Sequence, residues 1–430
     1  MPTLKDLQYF QAMPLQMKMD LSRNRIREWI RQYGEEGCYI AFSGGKDSTV
    51  LLDLVRNYCG YKKVPAMFVD VPTQYPELKE FVETFDNVDI VKPKISFAQV
   101  CEKYGFPLIS KEVSGCVEGA RKYLTSIMND NTILKSRAEQ SRAEQRHPYV
   151  PNFADLMGIP RRKGVNEKQL QNLKQGNFPN IDTDKLAELI NSSKKGEKVR
   201  LALLLGMLTK DNKIKGNSEM SDDEKSDFSK EKYKFFLNAP FEISAQCCNT
   251  MKKNPAHLYQ KQTGRVQITA TMASESRLRT QKWLQHSCNG FDLKIPTSSP
   301  LSFWTEQDIL LYIKKFNLPI CSVYGDIVPD YDEMGIIEGQ MSITDYEGFE
   351  NLELFDKDNV PLKTTGCSRT GCVLCGFGCH LESEEESRFR RLKETHPKFY
   401  GLLDLIKNNG VTYREAIDWV NEHGNLHIRY

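Results

Sequence analysis

Cys38-Tyr39-Ile40-Ala41-Phe42-Ser43-Gly44-Gly45-Lys46-Asp47-Ser48-Thr49-Val50-Leu51-Leu52-Asp53-Leu54-Val55 decides how the rest of the chain is read. The first five residues are apolar and strand-forming. From Thr49 onward the apolar positions recur at helical spacing. Ser43-Gly44-Gly45-Lys46-Asp47-Ser48 therefore joins the end of a strand to the start of a helix. Two glycines let the backbone turn tightly and approach a ligand closely. A helix start offers unpaired N–H groups and partial positive charge, which suit a phosphate. Lys46 adds a full charge, Ser43 and Ser48 add hydroxyls, and Asp47 is placed to hold a metal ion or orient a nucleophile.

Working outward, Leu4, Leu7, Phe10 and Met13 predict a helical lead-in over residues 1–34. Val64–Asp70 and Asp89–Lys92 read as second and third strands, with a helix from Pro76 to Phe85 between them. Strands alternating with helices mean βαβ units and a mainly parallel sheet. Ligands of such sheets bind beyond the carboxyl ends of the strands, where both Ser43–Ser48 and the segment from Asp70 to Glu77 lie. Later, Gln267–Thr271 reads as a strand leading into a turn with Glu275, Arg277 and Arg279. Pro300-Leu301-Ser302-Phe303-Trp304-Thr305-Glu306-Gln307-Asp308-Ile309 then opens an amphipathic helix, with Thr305 as its N-cap.

The hexapeptide resembles the pyrophosphate loop, SGGxDS, of the N-type ATP pyrophosphatase and sulfonucleotide reductase superfamily, and the Walker A pattern is absent. The paired Cys247-Cys248, the Arg- and Glu-containing turn and the P-L-x-x-W-T-x-x-D-I stretch follow in the order of the phosphoadenosine phosphosulfate (PAPS) reductase family. The resemblance spans about residues 25–125 and 233–380. It implies an α/β fold with a Rossmann-like, mainly parallel sheet of the PP-loop, HUP type. It also implies that an adenine nucleotide, ATP with Mg2+ or PAPS, is held by Ser43, Gly44, Gly45, Lys46, Asp47, Ser48, Asp70, Arg277 and Arg279. Of these, Lys46, Asp47 and Arg277 are the expected catalytic set. A guanidinium fork suits phosphate or sulfate, though either arginine alone also suits a surface salt bridge.

Twelve cysteines point to metal or redox chemistry rather than a disulfide framework. Cys38, Cys59, Cys101, Cys116, Cys288 and Cys321 are scattered and read as small buried hydrophobes. The others are clustered, Cys372 and Cys375 forming a C-x-x-C in a Gly-rich loop. The resemblance to assimilatory adenylylsulfate reductases implies a 4Fe–4S cluster on Cys247, Cys248, Cys372 and Cys375. Zinc is the alternative, since four thiolates also suit tetrahedral zinc. Cys367, Cys379 and His380 are reserve ligands. No cysteine follows Cys379, so the nucleophilic tail cysteine of sulfonucleotide reductases has no counterpart.

Residues 131–216 carry 17 Lys+Arg against 9 Asp+Glu, a net of +8 in a chain of net +2. Such an insertion suits either a nucleic-acid backbone, tRNA or DNA, or a solvated helical face. Asn217–Lys230 reads as an acidic linker. The longest apolar run, Leu201–Leu208, is far below the ~20 residues of a membrane span. With no secretion signal at its start, the 430-residue chain is expected in the cytoplasm, without a membrane partner. The expected division is 1–34 lead-in, 35–130 nucleotide-binding domain, 131–232 insertion and linker, 233–345 second part of that domain, and 346–430 cysteine-rich segment. The function expected is ATP-dependent adenylylation or sulfur transfer, with a sulfur donor or reductant protein as partner. A true sulfonucleotide reductase and a nucleotide sensor with a structural metal are the alternatives.

Overall fold

Cys38–Ala41, the first strand (β1), is buried on both faces, with Cys38, Tyr39 and Ile40 fully inaccessible. Such burial is what a central strand of a helix-covered parallel sheet requires. Its neighbours are Ala66–Val69 (β2) on one side and Val266–Ile268 on the other, both parallel. The sheet runs Val88–Val91 (β3), β2, β1, Val266–Ile268, Thr297–Ser298, Asn289–Gly290. Its first five strands are parallel and the last is antiparallel. The fold is therefore α/β with a mainly parallel six-stranded sheet, as expected.

The computed structural model describes residues 2–128, 183–192, 197–330, 360–384 and 387–430. It has two units: Met1–Lys94 with Met251–Cys372, and Ile95–Thr250 with Val373–Tyr430. The six-stranded sheet belongs to the first. Residues 233–250, expected with the sheet, fall in the second unit, and the C-x-x-C motif is divided after Cys372.

In the first unit the lead-in is two helices. The first, α1, is Leu4–Gln11, closed by a capping box of Thr3 and Asp6. The second, α2, is Leu15–Tyr33 and buries Met19, Ser22, Ile26, Trp29 and Ile30 at helical spacing. Met19, Ile26, Trp29 and Ile30 join Ile40, Phe42, Val50, Leu51, Phe68, Trp304 and Ile309 in the main core. The Trp304 indole N–H donates to Ser22 Oγ at 2.9 Å, and Ser22 Oγ donates to Pro300 O at 2.8 Å. Asp308 has two roles. It closes the capping box with Thr305 at the start of the helix Glu306–Phe316, and it accepts from buried Lys18 Nζ at 2.7 Å. The P-L-x-x-W-T-x-x-D-I stretch thus fastens this helix to α2.

In the second unit, Phe97–Tyr104 is a helix capped by Ser96. Leu108–Ile109 pairs in parallel with Gly376–Phe377. The Phe106 ring stacks on that of Tyr413, centroids 4.7 Å apart, at the start of the helix Tyr413–Gly424. Arg121 donates to Ala239 O at 2.8 Å and to Phe241 O at 2.5 Å, tying helix Lys111–Met128 to the 239–241 segment.

Of the basic insertion, 131–182 and 193–196, which include the Ser136–Gln145 repeat, lie outside the described residues. The described parts form helices Thr183–Ser192 and Lys198–Leu204. Asn217–Lys230 is not the plain linker its acidity suggests. It contains two short 3-10 turns, and the N–H groups of Ser226 and Lys230 donate to Leu208 O and Leu203 O at 2.9 Å. Buried Ser226 and Met220 explain why it folds back: the charges cover only its outer side. Among the described residues no helix is long and apolar enough to cross a membrane.

Candidate functional site

The hexapeptide follows β1 and runs into Lys46–Asp53 (α3), whose N-cap is Gly45. Gly44 has φ +73°, and a Cβ there would stand 2.9 Å from Val82 Cγ2. A side chain is excluded on both counts. At Gly45 a Cβ would meet Thr370 Oγ1 at 2.9 Å and Tyr324 Oη at 3.1 Å. Ser48 Oγ donates to Gly45 O at 2.9 Å, lies 3.0 Å from Ser43 Oγ, and accepts from the Ser43 N–H at 3.2 Å. The Gly45 N–H donates to Ser43 Oγ at 3.3 Å. In this arrangement the two serines shape the loop from within, where the sequence suggested donors turned toward a ligand.

Beside the loop lies a pocket of about 170 Å3 within the first unit, lined by Lys46, Asp47, Met272, Ser274, Glu275, Thr305, Glu306 and Arg369. Lys46 is only 2% exposed. Its Nζ is 2.9 Å from Glu306 Oε1 and 3.7 Å from Asp47 Oδ1, and donates to Ser368 O at 2.7 Å. Its backbone N–H donates to Tyr324 Oη at 3.0 Å, and that hydroxyl is 2.8 Å from Thr370 Oγ1. A buried lysine with a carboxylate against it is a charged site held ready, its cation neutralised until an anion competes for it. Glu306→Gln removes that competitor and is expected to tighten the binding of metal-free nucleotide severalfold, on the order of 1 kcal/mol, as read in a binding isotherm at fixed salt with Mg2+ chelated.

Asp47 Oδ1 is buried without a hydrogen-bond partner. Burial raises the Asp47 pKa, the Glu306 charge adds to this, and Lys46 and Arg369 oppose it. The sign of the linkage follows. A carboxyl whose folded pKa lies above its unfolded one destabilises the fold once both states are ionised, and the penalty disappears below the unfolded pKa. Asp47→Asn is therefore expected to raise the melting temperature of the free protein near neutral pH. The gain should fade as the pH drops toward the ordinary aspartate value of 3.8; a gain that persists there would contradict this origin.

Arg279 forms an ion pair with Glu275, a pocket residue, and feels the charges of Arg369 and Asp47. Burial, then Arg369, lowers its pKa. Arg277 begins the helix Arg277–His286 and is exposed, and it is not among the residues lining the pocket. Asp70, at the end of β2, stands 3.6 Å from Lys79 Nζ and 3.9 Å from Lys92 Nζ, also outside the lining. Lys46, Asp47 and, through Glu275, Arg279 are thus brought together. Glu306, Tyr324, Ser368, Arg369 and Thr370 were not foreseen as a site. Glu306 sits in a stretch read as a helix start, and Arg369 in one read for its thiols.

The cysteines divide between the units. Cys372 belongs to the first; Cys247, Cys248, Cys375 and Cys379 belong to the second. In the second unit the Tyr413 hydroxyl accepts from the Gly376 N–H at 3.1 Å and donates to Pro107 O at 3.3 Å. Burial first, then the thiols of Cys375, Cys101, Cys379 and Cys247, resists its ionisation. Cys101, read as an isolated core residue, therefore shares this neighbourhood. The Cys379 thiol donates to Cys375 O at 3.4 Å, and burial pushes its pKa up. Among the described residues no three His, Cys, Asp or Glu side chains are grouped to hold a metal ion.

With the loop, the parallel sheet and the charged pocket in view, comparison with protein families is decisive. The Phosphoadenosine phosphosulfate reductase domain matches residues 37–153 and 197–376, more than half of the chain. The chain belongs to the PAPS reductase family. Membership implies adenine-nucleotide binding, and members are generally enzymes. The matched residues include the Ser43–Ser48 loop, the turn holding Glu275 to Arg279, and Arg369. A comparison with curated proteins finds none that matches.

Proposed function

We propose that this PAPS reductase family chain is an ATP-using enzyme that transfers an adenylyl group. The observation that carries this reading is the pairing of Asp47 and Glu306 with Lys46 in one pocket. Carboxylates there would repel a metal-free sulfonucleotide, but they suit a triphosphate that arrives with Mg2+. The orphaned Asp47 Oδ1 fits that ion, with Glu306 as the second carboxylate. Bound there, Mg2+ would neutralise phosphate charge. Lys46 holds the β- and γ-phosphates and the start of α3 contributes N–H groups. An acceptor's lone pair attacks the α-phosphorus. The bond from that phosphorus to the bridging oxygen breaks, and pyrophosphate leaves with the electron pair. Lys46 stabilises charge on the leaving oxygens and Asp47 orients the attack.

Sulfur transfer to a tRNA or DNA gripped by residues 131–216 would be the purpose of this activation, with a sulfur-donor protein as partner. The 4Fe–4S cluster expected on the cysteines takes no part in these steps; iron, sulfide and zinc analysis of the protein decides it. The test of the proposal is pyrophosphate release from ATP by the full chain, with release expected and lost in Lys46 and Asp47 variants. Sulfite release from PAPS by a dithiol, without pyrophosphate release from ATP, would overturn it in favour of a reductase.

A further inference from the structure

Two cations line the pocket, Lys46 and Arg369. Lys46 is engaged by Glu306 and by Ser368 O. Arg279, just behind the lining, is engaged by Glu275. Among the described residues the Arg369 guanidinium has neither a hydrogen bond nor an ion pair, and its charge acts on both Asp47 and Arg279. Two guanidinium groups within range of one another, one of them unengaged, form an arrangement that an anion relieves.

Its backbone is fixed although its side chain is exposed. Ser368 O, on one side, accepts from Lys46 Nζ. Thr370 Oγ1, on the other, is 2.8 Å from Tyr324 Oη, which also accepts from the Lys46 N–H. The Cys367 N–H donates to Val323 O at 2.9 Å and the Gly366 N–H to Tyr324 O at 2.8 Å. The segment is thus pinned on both sides of Arg369, to the loop itself and to the Ser322–Tyr324 turn. A fork-shaped donor delivered from a fixed backbone loses little freedom when it meets phosphate oxygens.

We propose that Arg369 is a substrate-binding residue whose guanidinium takes the polyphosphate oxygens of the nucleotide held by the Ser43–Ser48 loop. This rests on the reading that the pocket receives an adenine nucleotide, and it adds a ligand from a stretch otherwise marked only by its cysteines. Arg369 and Lys46, whose charges both act on Asp47, then face the polyphosphate together.

The test is the affinity of wild type, Arg369→Ala and Arg369→Lys full-length protein for ATP and for AMP, with Mg2+ and salt held constant. Thermal melting of each variant accompanies the isotherms. Arg369→Ala is expected to weaken ATP by at least about fivefold, with AMP changed less and the melting temperature unmoved; Arg369→Lys should fall between. A smaller effect on ATP, or an equal loss for ATP and AMP, would overturn the role of Arg369. If wild type takes up no nucleotide, the reading beneath it fails, a result distinct from either.

Discussion

Lys46→Met is expected to weaken ATP binding by roughly a hundredfold or more while leaving the protein folded. Methionine keeps the apolar stem that the site buries and removes only the ammonium. Each charge-assisted hydrogen bond from that group to a phosphate contributes about 1.5–3 kcal/mol. The loss goes further, because Glu306 and Asp47 would then face the incoming anion without the cation between them. Equilibrium dialysis with labelled ATP reads the affinity. Uptake within a fewfold of wild type would mean that the ammonium serves only to hold Ser368 and Glu306 in place.

The second large effect concerns stability. Lys18 and Asp308 are 2% and 5% exposed, and Lys18 Nζ is 2.7 Å from both Asp308 oxygens and from Gln11 O. Asp308→Ala leaves the ammonium buried without its counter-ion, which costs about 3–5 kcal/mol. It also removes the acceptor of the Thr305 N–H and hydroxyl at the start of the helix Glu306–Phe316, adding roughly 1 kcal/mol. Lys18→Met in the Asp308→Ala background should recover much of the first loss, because no buried charge is then left unpaired. Chemical denaturation followed through the tryptophans of this unit reads both, and equal midpoints for the single and double variants would contradict the account. Since this helix carries Glu306 at its first position, the destabilised variant should also bind nucleotide less well.

How far the sequence could be read depended on the range of each interaction. The run from Cys38 to Phe42 announced a buried strand because its neighbours in the chain are all apolar. Thr305 announced a cap because the partner of a cap lies three residues on. The two-residue strands Asn289–Gly290 and Thr297–Ser298 are too short to carry any period. What closes the Ser43–Ser48 loop was illegible for another reason. Tyr324 and Ser368 reach Lys46 across 278 and 322 residues, and Lys18 reaches Asp308 across 290. No local pattern encodes such pairs. Ser43 and Ser48 were singled out as hydroxyl donors, and in the fold their hydroxyls bond within the loop itself, a choice that only the packed backbone reveals.

The cysteines teach the same lesson from the opposite side. Spacing made Cys372 and Cys375 conspicuous and left Cys101 among the core residues. The fold sets Cys101 near Tyr413 along with Cys247, Cys375 and Cys379. Just before the C-x-x-C, Ser368 O turns out to accept from Lys46 Nζ, and Thr370 Oγ1 to meet the Tyr324 hydroxyl that accepts from the Lys46 N–H. A stretch noticed for its sulfur thus also supplies the pocket with an arginine, Lys46 with a carbonyl partner and Tyr324 with a hydroxyl partner.

The claim on which everything else rests is that the Ser43–Ser48 pocket binds an adenine nucleotide. Calorimetric titration of the full-length protein with ATP and Mg2+, and separately with PAPS, tests it most directly. Saturable heat at one site per chain with ATP is the expected result; the absence of saturable binding for both nucleotides would contradict it.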